Sequence, residues 1–169
     1  EIKLRSIVPD SDSNWWVRSY DLGVYSFNPQ TNRFTGLTKI VDSLGTILQV
    51  NYLLKTRAGK LFATTFYGLY QYNYTEKKFE KYNQWHNVSP FMYGMAEDKK
   101  GMLWICTEAG LICINPSTGK MERQFPEYNE MGMTNRVCAD NNNNIWFNTQ
   151  KGYWCWVQER QQMVRFDYD

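Results

Sequence analysis

Hydrophobic and polar positions along this chain alternate in short runs that Gly, Asn, Asp or Thr then cut. That is the punctuation of brief strands joined by tight turns. The stretch Leu103–Thr107 is one such run, preceded by Asp98 and Gly101 and followed by Gly110–Asn115 and Pro116. Helical spacing is not sustained anywhere: Leu103–Thr107 and Gly152–Val157 are short, aromatic and β-branched, and Gly interrupts at fixed points. Apolar and aromatic residues fill both faces of the central strands, which predicts sheets covered on both sides.

The same pattern recurs along the chain. Asp98, Gly101, Leu103, Trp104, Thr107, Gly110 and Leu111 return as Asp140, Asn143, Ile145, Trp146, Thr149, Gly152 and Tyr153. An earlier copy has Thr56, Gly59, Leu61, Phe62, Thr65, Gly68 and Leu69, and the first has Asp10, Ser13, Trp15, Trp16, Ser19, Gly23 and Val24. The anchor aromatics Trp16, Phe62, Trp104 and Trp146 are 46, 42 and 42 residues apart. Each unit reads as four strands, a to d. In the third these are Met92–Ala96, Met102–Thr107, Gly110–Asn115 and Lys120–Phe125. Asp98 and Gly101 bracket the a–b turn, and Thr107 and Gly110 the b–c turn. The prediction is an all-β chain of four tandem, four-stranded antiparallel sheets, the blades of a β-propeller. Their bounds are roughly 1–36, 37–83, 84–127 and 128–169.

The units resemble the two-component regulator propeller repeat, Asp-x-x-Gly-x-Leu-Trp-(Ile/Val)-Gly-Thr-x-x-Gly-Leu. Asp98 to Leu111 follow it almost position for position, with Cys106 in place of the usual Gly before the Thr. The second unit departs most, with Thr56, Phe62 and Thr64 in place of Asp, Trp and Gly; the fourth has Asn143 and Asn148 where Gly is usual. The resemblance implies a periplasmic sensor region of a membrane-bound bacterial regulator, typically a hybrid histidine kinase. Its ligand would be an oligosaccharide or polysaccharide breakdown product, and any kinase activity would lie in other parts of the parent protein. This sequence itself carries no kinase motif, membrane span or helix-turn-helix pattern.

Composition narrows the classes further. Aromatics make up 17% of the 169 residues and hydrophobics 43%, which argues against disorder. A net charge of +2 with acids and bases interspersed gives no footprint for duplex nucleic acid. The absence of a basic-then-apolar leader reads as a mature or excised segment. The expected strands run from an a strand at Ile2–Val8 to a d strand at Met163–Tyr168, so none is left over to lace a ring. Because an open array would expose an apolar face at each end, the expectation is a piece of a larger ring, a closed four-blade ring, or pairing of two copies.

Cys106, Cys113, Cys138 and Cys155 lack the spacing of a zinc site, and His86 is the sole histidine. No metal or cofactor is expected. A Cys106–Cys113 disulfide across a hairpin is conceivable, but buried free thiols are the simpler reading.

In propellers strand a lines the channel, and the d–a and b–c loops share a rim. Arg5, Asn51, Tyr93 and Asn135 each lie five residues before the turn acid or its substitute, at one equivalent position near that mouth. Tyr67 from a b–c loop, Trp85 from a d–a connection, and Arg136 complete the candidate ligand site. Aromatic faces stack on sugars, amides grip hydroxyls, and arginine suits an anionic group. His86, Tyr128 and Asn129 lie in the same class of connection.

The aromatic candidates are equally suited to packing between blades. Asp10, Asp98 and Asp140 recur too regularly for catalysis and read as turn formers. The loop acids Asp21, Glu108, Glu127 and Glu130 belong to different loops, so no catalytic residue is assigned. A protein-binding scaffold is the alternative function.

Overall fold

The computed structural model describes residues 4–19, 23–82, 85, 88–125 and 133–166. Among these the chain forms sixteen strands and no helix. The first sheet is β1 (Leu4–Ser11), β2 (Asn14–Ser19), β3 (Val24–Asn28) and β4 (Arg33–Thr38). The second is β5 (Val50–Lys55), β6 (Leu61–Thr65), β7 (Gly68–Asn73) and β8 (Lys78–Lys81). The third is β9 (Met92–Glu97), β10 (Leu103–Thr107), β11 (Gly110–Ile114) and β12 (Met121–Gln124). The fourth is β13 (Thr134–Ala139), β14 (Ile145–Thr149), β15 (Gly152–Val157) and β16 (Gln162–Phe166). Every sheet is an antiparallel meander in chain order, as β-propeller blades are. In the third sheet each strand end falls within one residue of the sequence expectation.

The chain divides into two compact units, Glu1–Gln84 and Trp85–Asp169. In the first, β1 runs beside β5, and Trp16, Val24 and Val8 of one sheet pack against Leu53, Leu61, Ala63, Tyr70 and Tyr72 of the other. The connection between the two sheets adds Ile40 and Leu48 to this core, tied by a Leu48 N–H bond to the Ile40 carbonyl at 2.7 Å. In the second unit β9 runs beside β13. There Trp104, Cys106, Leu111, Cys113 and Phe125 meet Ile145, Phe147 and Trp156.

Turn chemistry repeats as faithfully as the strands. At each b–c turn a hydroxyl (Ser19, Thr65, Thr107 or Thr149) donates to the carbonyl of the glycine that opens the next strand, at 2.8–3.2 Å. That glycine sits at φ 106–126° in every copy, a region where a side chain strains the backbone. At three c–d turns Asn28, Asn73 and Asn115 accept two successive backbone N–H groups, forming Asx turns.

The cysteines are free, and Cys106 and Cys113 do not face each other across the hairpin. Cys106 pairs with Leu111, and Cys113 pairs with Trp104. Burial pushes both thiols up to about 12.

Candidate functional site

The repeated acids resolve first. Asp98 is 1% exposed. One of its oxygens accepts the N–H groups of Lys100 (2.8 Å) and Met102 (3.0 Å), and the other accepts the Trp104 indole N–H at 3.0 Å. Asp140 repeats this with Asn142, Asn144 and, at 2.9 Å, Trp146 Nε1. Burial opposes ionisation of Asp140, but those hydrogen bonds overcome it and hold the carboxyl at about 2. These acids are therefore spent on the turn and on the anchor ring.

The second sheet replaces both partners together. Thr56 holds its turn through the Lys60 N–H (3.1 Å), and the Phe62 ring has no N–H to satisfy. The first sheet uncouples them. Asp10 bonds Lys55 Nζ (2.6 Å) and the Tyr74 hydroxyl (2.9 Å), while Trp16 Nε1 makes no hydrogen bond of ordinary geometry among the described residues. The fixed six-residue spacing from acid to Trp was the sequence signal for this lock, and a turn-only reading missed it.

The four equivalent candidates all lie at the start of the first strand of their sheets. Arg5, Asn51, Tyr93 and Asn135 each follow a residue paired with the Ser or Thr of the b–c turn: Leu4 with Ser19, Val50 with Thr65, Met92 with Thr107, and Thr134 with Thr149. They thus share one end of their sheets. In the first unit Arg5 is exposed, Asn51 half-buried, and Tyr67 stands in the β6–β7 turn, 54% exposed, at the same end of the sheet as Asn51. Arg18 Nη1 bonds the Val50 carbonyl at 2.8 Å, fixing β2 to β5 next to Asn51.

In the second unit Tyr93, Asn135 and Arg136 come together. A Cβ on Gly94 would lie 2.6 Å from the Asn135 carbonyl oxygen and 3.3 Å from the Arg136 Cα, so the backbones of β9 and β13 touch there. Thr134 closes the same end. Its hydroxyl accepts the Thr107 N–H at 3.0 Å and lies 3.0 Å from the carbonyls of Thr107 and Gly110. Tyr93 is half-buried against the core; burial, then the Glu108 carboxylate, pushes its phenol up. Arg136 is exposed and lines a hollow of about 240 Å³ with Cys138, Trp146, Asn148 and Tyr153.

Trp85 departs from its expected place. Its indole N–H bonds the Gly119 carbonyl at 3.0 Å, in the β11–β12 turn. That turn lies at the opposite end of the sheet from Tyr93, so Trp85 is anchored away from the cluster. A tryptophan in a connection goes where its N–H finds an acceptor as well as where its ring finds cover. His86, Tyr128, Asn129, Asp21, Glu127 and Glu130 lie outside the described residues. Among the described residues no group of His, Cys, Asp and Glu could hold a metal, and no helix is long and apolar enough to cross a membrane.

No protein-family model matches this chain, and no curated protein does. Solved structures do. The extracellular domain of the proposed hybrid two-component system BT4673 from B. thetaiotaomicron aligns over 99% of this chain and 22% of its own, with 19% identity and a TM-score of 0.77. That of the proposed system BT3049 from the same organism aligns over 98% and 23%, with 20% identity and a TM-score of 0.78. An inactive virginiamycin B lyase from Staphylococcus aureus aligns over 99% and 56%, with 15% identity and a TM-score of 0.77. The chain spans about a fifth of the length of those two extracellular domains. At these identities the likeness is one of fold: this chain folds as β-propeller blades of the kind found in the extracellular domains of such two-component systems.

Proposed function

We propose that this chain is part of the extracytoplasmic, ligand-sensing region of a membrane-bound two-component regulator, placed in the periplasm, and that it recognises an oligosaccharide. The observation that carries the reading is the shared fold, over nearly the whole chain, with extracellular domains of two such systems. The chemistry at one end of the second unit is compatible: an aromatic ring (Tyr93), an amide (Asn135) and a cation (Arg136) lie on adjoining strands. Arg5, Asn51 and Tyr67 offer the corresponding groups in the first unit. Trp85, tied to the far turn, is left out of this site.

The chain acts here by binding, without chemistry of its own. The lyase shares the fold as closely, but Asp98 and Asp140 are engaged by hydrogen bonds in their turns, and of the loop acids named above Glu108 is the one among the described residues. A glycan array followed by calorimetric titration tests the proposal. Saturable binding of an oligosaccharide is expected, weakened at least tenfold by Tyr93→Ala with the fold retained. Silence across all glycans, together with capture of a protein partner, would replace it with the scaffold reading.

A further inference from the structure

The seam between the third and fourth sheets is filled differently from the seam between the first and second. Strand register gives the equivalent positions. Tyr74 lies three residues beyond Gln71, the partner of the anchor Phe62, and Gln158 lies three beyond Cys155, the partner of the anchor Trp146. Gly36 and Arg123 also correspond, each two strands across from an anchor: Trp16–Ser26–Gly36 and Trp104–Cys113–Arg123. In the first seam Tyr74 reaches across to bond Asp10 at 2.9 Å. Its ring meets Tyr72 (centroids 5.0 Å apart), which meets Trp16 (4.6 Å). In the second seam the amide of Gln158 takes the place of that ring, and a cavity of about 280 Å³ opens against Trp104.

Hydrogen-bonding groups around this cavity are unbalanced. The acceptors that line it are engaged. Asp98 holds its turn and the Trp104 indole, and Glu122 pairs with Lys120 at 3.2 Å. Asn115 Oδ1 accepts the Ser117 and Thr118 N–H groups, and Gln161 Oε1 accepts Arg123 Nη2. Donors are left over. The Lys100 ammonium, the rest of the Arg123 guanidinium and the amide nitrogens of Asn115 and Gln158 make no hydrogen bond among the described residues. Arg123 is stacked 4.9 Å over the ring of Trp156, whose indole N–H is buried and meets no acceptor among the described residues. Three cations, Lys100, Lys120 and Arg123, stand against the two engaged carboxylates.

We propose that this cavity binds a small hydroxylated acid of the sugar-acid class. Surplus donors call for an acceptor-rich ligand, and a guanidinium oriented by stacking suits a planar carboxylate. Arg123 and Lys100 hold the carboxylate, and the Asn115 and Gln158 amides meet hydroxyls. The cavity lies among the a–b and c–d turns, at the opposite end of the third sheet from Tyr93, so its occupancy is independent of the site proposed above.

Calorimetric titration of the intact chain with D-galacturonate tests this, with D-galactose and inorganic sulfate as comparison ligands. Saturable 1:1 binding of galacturonate is expected, at least tenfold tighter than either. Arg123→Gln should weaken it at least tenfold, and Gln158→Tyr, which installs the closure of the first seam, should abolish it, both with the strand signal retained. The Trp156 indole signal should shift as galacturonate is added to the parent chain and stay still in Arg123→Gln. No binding of galacturonate, galactose or sulfate bound as tightly, or binding that survives both substitutions would each overturn the proposal.

Discussion

In Asp98 and Asp140 the two carboxylate oxygens divide their work, one closing the turn and the other receiving the indole of the anchor six residues on. A charge-assisted bond to a largely buried N–H is stronger than a neutral one, and leaving that N–H unmet costs about 1–3 kcal/mol. The pairing explains why Thr56 and Phe62 occur together: a threonine suffices for the turn once the ring has nothing to donate. It also gives stability a pH dependence. The folded carboxyl of Asp140 is held at about 2, against an ordinary value of 3.8. Folding therefore favours the ionised form, and this contribution is fully present above about pH 5 and lost as pH falls towards 2. The urea midpoint should decline across that window, and Asp140→Asn should flatten the decline. Some slope should survive, because Lys55, Tyr74 and Asn14, acting against burial, also lower Asp10. An unchanged slope in the variant would mean that Asp140 is not held ionised by the fold.

Strands and turns were the most legible part of the sequence, because each is specified locally. Alternation sets the strand, Thr and Gly set the b–c turn, and Asn sets the c–d turn. How adjacent sheets approach was not legible, since it depends on atoms brought together from about forty residues apart. Gly94 is the example. It is no turn residue and its φ is not left-handed, yet the Asn135 carbonyl occupies the space its Cβ would need. Gly94→Ala should destabilise the chain by about 1–3 kcal/mol through forced separation of β9 and β13, and should weaken any ligand held between Tyr93 and Asn135. Gly36→Ala is the control, because its nearest neighbour would be the Ser26 hydroxyl at 3.9 Å. Equal urea midpoints for the two variants would contradict the close approach. The Trp85 placement failed for a related reason: the loop class gave the connection, but the Gly119 acceptor that captures the indole belongs to another turn.

Across the whole chain one repeat accounts for the architecture, and the departures from it mark where the copies differ in role. The third and fourth sheets keep the acid–indole lock, the second exchanges it for Thr and Phe, and the first redirects its acid to Lys55 and Tyr74. Nitrogen-15 spectra of the tryptophan indoles examine the three copies with a tryptophan anchor in one measurement. The Trp146 N–H signal should lie downfield, exchange slowly, and move upfield in Asp140→Asn, whereas the Trp16 signal should hold nearly still in Asp10→Asn. Equal responses from the two rings, or none from either, would contradict the lock on which the account rests.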